Sequence, residues 1–103
     1  MKFTKPGTRI KLGHEPRLAP GVRGYAMKIR GEIYIPLILA DAPGSGAVSR
    51  FLDSLPTRTT VKVPCVVNPQ LAEMLKRRGF SAIQEYDKES QSWVEIYIRQ
   101  AKL

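Results

Sequence analysis

The chain has 103 residues, 43% of them apolar and 25% charged, a composition that suits one globular domain and excludes wholesale disorder. A single cysteine, Cys65, and a single histidine, His14, exclude an intrachain disulfide and leave no ligand set for a thiolate or imidazole metal centre. The formal charge is +8, and residues 1–31 hold 8 of the 17 basic residues against Glu15 alone, so a polyanionic partner is expected: nucleic acid, an acidic protein or a phosphorylated cofactor.

A solvated basic surface that keeps a small protein soluble is the plainer alternative. No apolar run has the length of a membrane span, and the basic N-terminus MKFTKPGTRIKL lacks the apolar stretch of a signal peptide. A cytoplasmic address with no membrane partner is expected. Residues 1–21 read as a basic, loop-rich opening of a single domain spanning 1–103. Within it Thr8–Leu12 has the pattern of a short strand, and Gly13–Gly21, with Pro16 and Pro20, that of a loop. The loop carries His14 and Glu15, neighbours that do not face each other by spacing, and His14 reads as an exposed loop histidine.

Val22–Arg30 and Glu32–Ala40 then read as an antiparallel hairpin about Arg30-Gly31. Pro36 lies inside the second strand and has no N–H for a ladder, so a bulge or a locally unpaired edge is expected there. The strand runs into a turn carrying Gly44-Ser45-Gly46, and Ala47, Val48, Phe51, Leu52 and Leu55 follow at helical spacing up to Pro56. Strand, glycine turn and helix in succession are a common anion site. Glycines allow close approach to the backbone, and the first N–H groups of a helix lack partners within it. Such a turn also serves purely structural ends.

Thr60–Val67 is β-branched and reads as a strand, irregular at Pro64, with Cys65 packed as a small hydrophobe. Asn68-Pro69 opens a second helix, with Asn at the N-cap and Pro at the first helical position. Lys76, Arg77 and Arg78 close it, and Gly79-Phe80 supplies the C-cap and its apolar contact. Ser81–Tyr86 and Gln91–Arg99 read as a closing hairpin, with Val94, Ile96 and Ile98 toward the core and Glu95, Tyr97 and Arg99 toward water. The order is β-β-β-α-β-α-β-β, an α/β (α+β) domain built on a mixed sheet.

The segment NPQLAEMLKRRGF, Asn68 to Phe80, resembles the signature of the GNAT superfamily of N-acetyltransferases, in which an Asn after a strand opens a helix ending in Gly-Phe. Gly44-Ser45-Gly46 lies one helix and one strand upstream, where that family keeps its pyrophosphate-binding loop. The resemblance covers residues 22–99. It implies a GNAT-like sheet splayed into a V between Glu32–Ala40 and Thr60–Val67, with the pantetheine arm of acetyl-CoA paired to the backbone of the first strand at Ile38, Leu39 and Ala40. It further implies a pyrophosphate on the N–H groups of Gly44, Ser45, Gly46 and Ala47, Arg50 near a phosphate and Asn68 near the pantetheine. Two positions depart from the family pattern. Asp41 stands where the loop has Gln or Arg, and Leu75 where many members have a tyrosine that protonates the departing thiolate.

Two functions are therefore expected of this chain. One is a small acyl-CoA-dependent N-acyltransferase, with Glu32, Tyr34 or Tyr97 assisting proton transfer. The other is a non-catalytic GNAT-like binding or structural accessory protein, of the kind found in viruses and mobile elements. Its basic N-terminal third would dock on nucleic acid or a larger assembly. Either could act as a homodimer, since so small a domain gains core by pairing.

Overall fold

The computed structural model describes residues 1–103. Eight elements follow in order: β1 (Arg17–Ala19), β2 (Val22–Ile29), β3 (Glu32–Ala40), α1 (Ala47–Asp53), β4 (Val61–Pro64), α2 (Pro69–Arg77), β5 (Ser81–Asp87) and β6 (Ser92–Arg99). The six strands form one mixed sheet in the order β1-β2-β3-β4-β6-β5. All neighbours are antiparallel except β3 and β4, which are parallel because α1 carries the chain across between them. The fold is thus a mixed α+β architecture with two helices.

Local chemistry explains most of the boundaries. Arg30 and Gly31 both have positive φ, 52° and 79°, the backbone of a type I′ turn whose twist matches the strands it joins. The bulge expected near Pro36 is present. Tyr25 pairs with Leu37 and Met27 with Tyr34, so Ile35 and Pro36 together oppose Ala26. Close by, Gly24 has φ 140°, and a Cβ there would stand 2.0 Å from the Leu37 carbonyl oxygen, so only glycine lets the two backbones meet. Asn68 caps α2 by accepting from the Gln70 N–H at 2.8 Å.

Four expectations are corrected. Thr8–Leu12 is not a strand; the first strand lies within the expected loop, at Arg17–Ala19. Leu18 is buried there, and Gly21 at φ 78° turns the chain into β2, so Pro16 and Pro20 bracket an edge strand. The strand expected over Thr60–Val67 is cut to Val61–Pro64, because Cys65 adopts φ 56° and breaks the extended run. Cys65 is exposed and does not pack in the interior. In β6 the two faces are reversed. Tyr97, opposite Val63, joins the main core, whereas Ile96 is buried on the other side of the sheet, opposite Pro64.

The core is one cluster on one face of the sheet. It joins Val22, Ile33, Ile35, Val61, Val63 and Tyr97 from the strands to Phe51 and Leu52 of α1 and Leu75 of α2. α1 packs against β1, β2 and β3. Its last residue, Asp53, accepts from Arg78 at the end of α2 at 2.8 Å, which ties the two helices together over that face. Neither helix is long and apolar enough to cross a membrane.

Candidate functional site

The sheet is open in the middle. β3 and β4 share only two residue pairs, Ile33 with Val61 and Tyr34 with Lys62, joined further by the Ile33 N–H to the Thr60 carbonyl at 2.9 Å. Past Tyr34, β3 is paired on one side alone, with β2, through to Ala40. The bulge and Pro36 stand where this one-sided stretch begins, and β4 itself stops at Pro64. The backbone of Ile38, Leu39 and Ala40 therefore forms an internal sheet edge, and an extended amide-bearing chain can pair with such an edge as an added strand does.

That edge runs directly into the glycine turn. Gly44 and Gly46 have φ 84° and 82°, a left-handed backbone that glycine adopts without strain. Gly46 is the N-cap of α1, and no side chain caps the helix. Within the turn the Ser45 N–H donates to the Ala42 carbonyl at 3.2 Å, and the Ala47 N–H to Ser45 Oγ at 3.4 Å. The N–H groups of Gly44, Gly46, Val48 and Ser49 have no acceptor within the chain. The donor set thus shifts by one position from the expected one: Ser45 and Ala47 are partly spent, and Val48 and Ser49 take their place. Arg50 folds back over the turn, Nη1 donating to the Ser45 carbonyl at 3.4 Å, and a Cβ on Gly46 would come within 3.1 Å of that nitrogen.

Asp41, the anion at the base of the turn, is already committed. Arg17 donates to it at 2.6 Å and Arg23 at 2.9 Å, and its own N–H donates to the Gly21 carbonyl at 2.9 Å. Hydrogen bonding from Arg17 is the main reason its carboxyl is held below the ordinary aspartate range, with Arg23 adding to it. Two guanidiniums thus neutralise the charge that stands nearest the free N–H groups. The same clamp removes two cations from the basic N-terminal third. Arg23 also lies 3.6 Å from Glu15, whose carboxylate accepts from the Gly13 N–H.

The three candidate proton-transfer residues do not come together. Tyr34 and Glu32 both lie beside Lys62, on the β3–β4 seam, where the ladder opens. Lys62 Nζ stands 3.2 Å from Glu32 and 3.3 Å from Glu85, and Tyr34 is its cross-strand neighbour. Burial first, then the Glu85 carboxylate, hold the Tyr34 phenol above its ordinary pKa, so it keeps its proton at neutral pH. Burial pulls the Lys62 ammonium down, but its two carboxylates outweigh that and leave its pKa raised. Tyr97 is elsewhere: it is a core side chain, 6% exposed. Leu75, where a tyrosine would act, is fully buried in the same core. Asn68 is exposed, with Oδ1 engaged by its own helix.

The sequence reading missed Lys62 and the Asp41 clamp. A lysine between Val61 and Val63 in an otherwise apolar strand was the signal for the first. Nothing in the chain order signals the second, which joins residues 18 and 24 positions apart. No protein-family model, curated protein or solved structure matches the chain.

Proposed function

We propose that the chain is a small GNAT-like N-acyltransferase that takes its acyl group from acetyl-CoA. The observation that carries this reading is the continuity of a one-sided β3 edge with a glycine turn rich in free N–H groups. An acyl-CoA is an extended amide chain ending in a diphosphate, and it needs those two features in that order. The end of β3–β4 pairing after Tyr34 supports the V-shaped split that the resemblance implies, and the pairing of Asp41 with two guanidiniums favours an anion at the turn. Bound there, the cofactor would supply a reactive thioester.

The chain's own residues do the positioning. The free edge of Ile38–Ala40 orients the amide arm, and Arg50 and the N–H groups of Gly44, Gly46, Val48 and Ser49 hold the diphosphate. Tyr34, protonated and placed where the strands part, donates to the departing sulfur. The acceptor amine forms the new C–N bond and gives up a proton as the C–S bond breaks, with Glu32 the nearest carboxylate on β3 to receive it.

Thermal melting with acetyl-CoA tests this reading. At a hundred times its Kd, a ligand stabilises by about 2.7 kcal/mol, or roughly 10–20 °C for a domain of this size. Arg50→Gln reduces that shift and leaves the melting temperature of the free protein unchanged, because the exposed Arg50 side chain makes one long bond within the fold. No shift at millimolar acetyl-CoA overturns the proposal.

A further inference from the structure

The strand register gathers cations that are far apart in sequence. Ile29 pairs with Glu32, Ile33 with Val61, Val61 with Arg99, and Ile98 with Ser81, so the β2–β3 turn, the start of β4, the start of β5 and the end of β6 share one end of the sheet. The end of α2 feeds β5 there, with the Phe80 N–H donating to the Leu75 carbonyl at 3.1 Å. This end carries Arg30, Arg58, Arg77, Arg78, Arg99 and Lys102. Its carboxylates are Glu32 and Asp53, and both are already paired, with Lys62 and Arg78. The acidic side chains of the hairpin turn, Asp87 and Glu89, which make no ion pair, lie at the opposite end, as does the Asp41 clamp.

The same end holds an open cleft of about 630 Å³, walled by Arg78, Arg99, Lys102, Thr57 and Ser81. Arg99 is set in place before any ligand arrives: Nη2 donates to the Pro56 carbonyl at 2.8 Å, and the guanidinium lies 5.3 Å from the Phe80 ring. The Lys102 N–H donates to the Thr57 carbonyl at 2.8 Å, which fixes the segment after β6 against the loop before β4.

We propose that this end of the sheet is a docking surface for the phosphodiester backbone of a nucleic acid. Arg30, Arg58 and Arg77, which make no side-chain hydrogen bond or ion pair, lie at the ends of different elements beside the anchored Arg99, and such a spread suits a row of phosphates. Protein interfaces favour well-packed, desolvated anchors, and the most exposed aromatic pair, Trp93 and Tyr86, lies toward the far end, beside the Asp87–Ser92 turn. The surface shares only Arg30 with the basic N-terminal third: Arg17 and Arg23 are paired with Asp41 at the other end of the sheet, and the segment before β1 approaches the surface only at Phe3, beside Lys28. It does not use the glycine turn of the acyl-transfer reading, which sits at the other end of β3, and it meets that reading only at Glu32.

The test is fluorescence anisotropy with a labelled DNA duplex of about 20 base pairs and a single-stranded RNA of similar length, titrated from about 50 to 200 mM salt. One of the two binds, and the variant Arg58→Gln/Arg77→Gln/Lys102→Gln weakens it at least tenfold. The salt slope falls by about 0.9 per duplex contact removed, or about 0.7 for a single strand. These side chains make no ion pair in the fold, so the variant melts like the parent. The variant Lys5→Gln/Arg9→Gln/Lys11→Gln binds as the parent does. Absence of binding at the lowest salt overturns the proposal. So does loss of binding in the N-terminal variant alone, or equally tight binding of an oligoglutamate peptide.

Discussion

Asp41 shows how a single side chain changes meaning between the linear chain and the folded one. As an isolated carboxylate before a glycine turn it opposes any anion. In the fold its charge is shared between Arg17 and Arg23, and it fastens β1 and β2 to the end of β3. A pH dependence follows from the direction of its shift. Its folded pKa lies below the unfolded value, so its contribution is complete above the ordinary aspartate pKa. That contribution is lost as pH falls below the ordinary range and through the lowered folded value. Asp41→Asn is therefore expected to lower the melting temperature at pH 7 and to make the acid side of the melting-temperature profile shallower. If the two profiles run parallel down to the acid transition, the clamp contributes nothing.

The elements were legible wherever a local rule decided them. Asn68-Pro69 and Gly79-Phe80 marked α2 by capping chemistry alone, Arg30-Gly31 marked its hairpin, and the order of elements from Val22 onward was readable from such signals. What misled was context. Residues 17–19 looked like loop because two prolines flank them, and only pairing with β2 makes them a strand. In β6 the apolar alternation pointed one way, while Tyr97 went to the helix-covered face, since a ring fills that space and Ile96 is sheltered on the other face. Of the candidate site, the glycine turn and the break at Pro36 were readable, whereas the guanidinium clamp and the Lys62 pairings exist only through tertiary contact. The cap itself is measurable: Asn68→Ala is expected to cost about 1 kcal/mol by chemical denaturation, and Asn68→Gly only a few tenths. A loss in Asn68→Ala of only a few tenths would mean that the bond from the Gln70 N–H contributes nothing.

At the scale of the molecule, two sets of three strands meet along a very short border. β1, β2 and β3 lie on one side with α1 packed against them, and β4, β6 and β5 on the other. The backbone pairing across that border is two residue pairs long, so the shared core must do most of the joining. Leu52, 1% exposed in the middle of that core, is where this is tested. Leu52→Ala is expected to cost about 2–5 kcal/mol, the usual range for a fully buried leucine. A loss below about 1 kcal/mol would show that the halves hold together without α1.

The short border also has a mechanical consequence. A seam two residue pairs long gives the two half-sheets little shared ladder, so the angle between them is set by the common core and by the Asp53–Arg78 bond over that face. A load that wedges the halves apart therefore falls on side-chain packing before it meets the backbone, where the Ile33 N–H, donating to the Thr60 carbonyl, extends the seam by one bond.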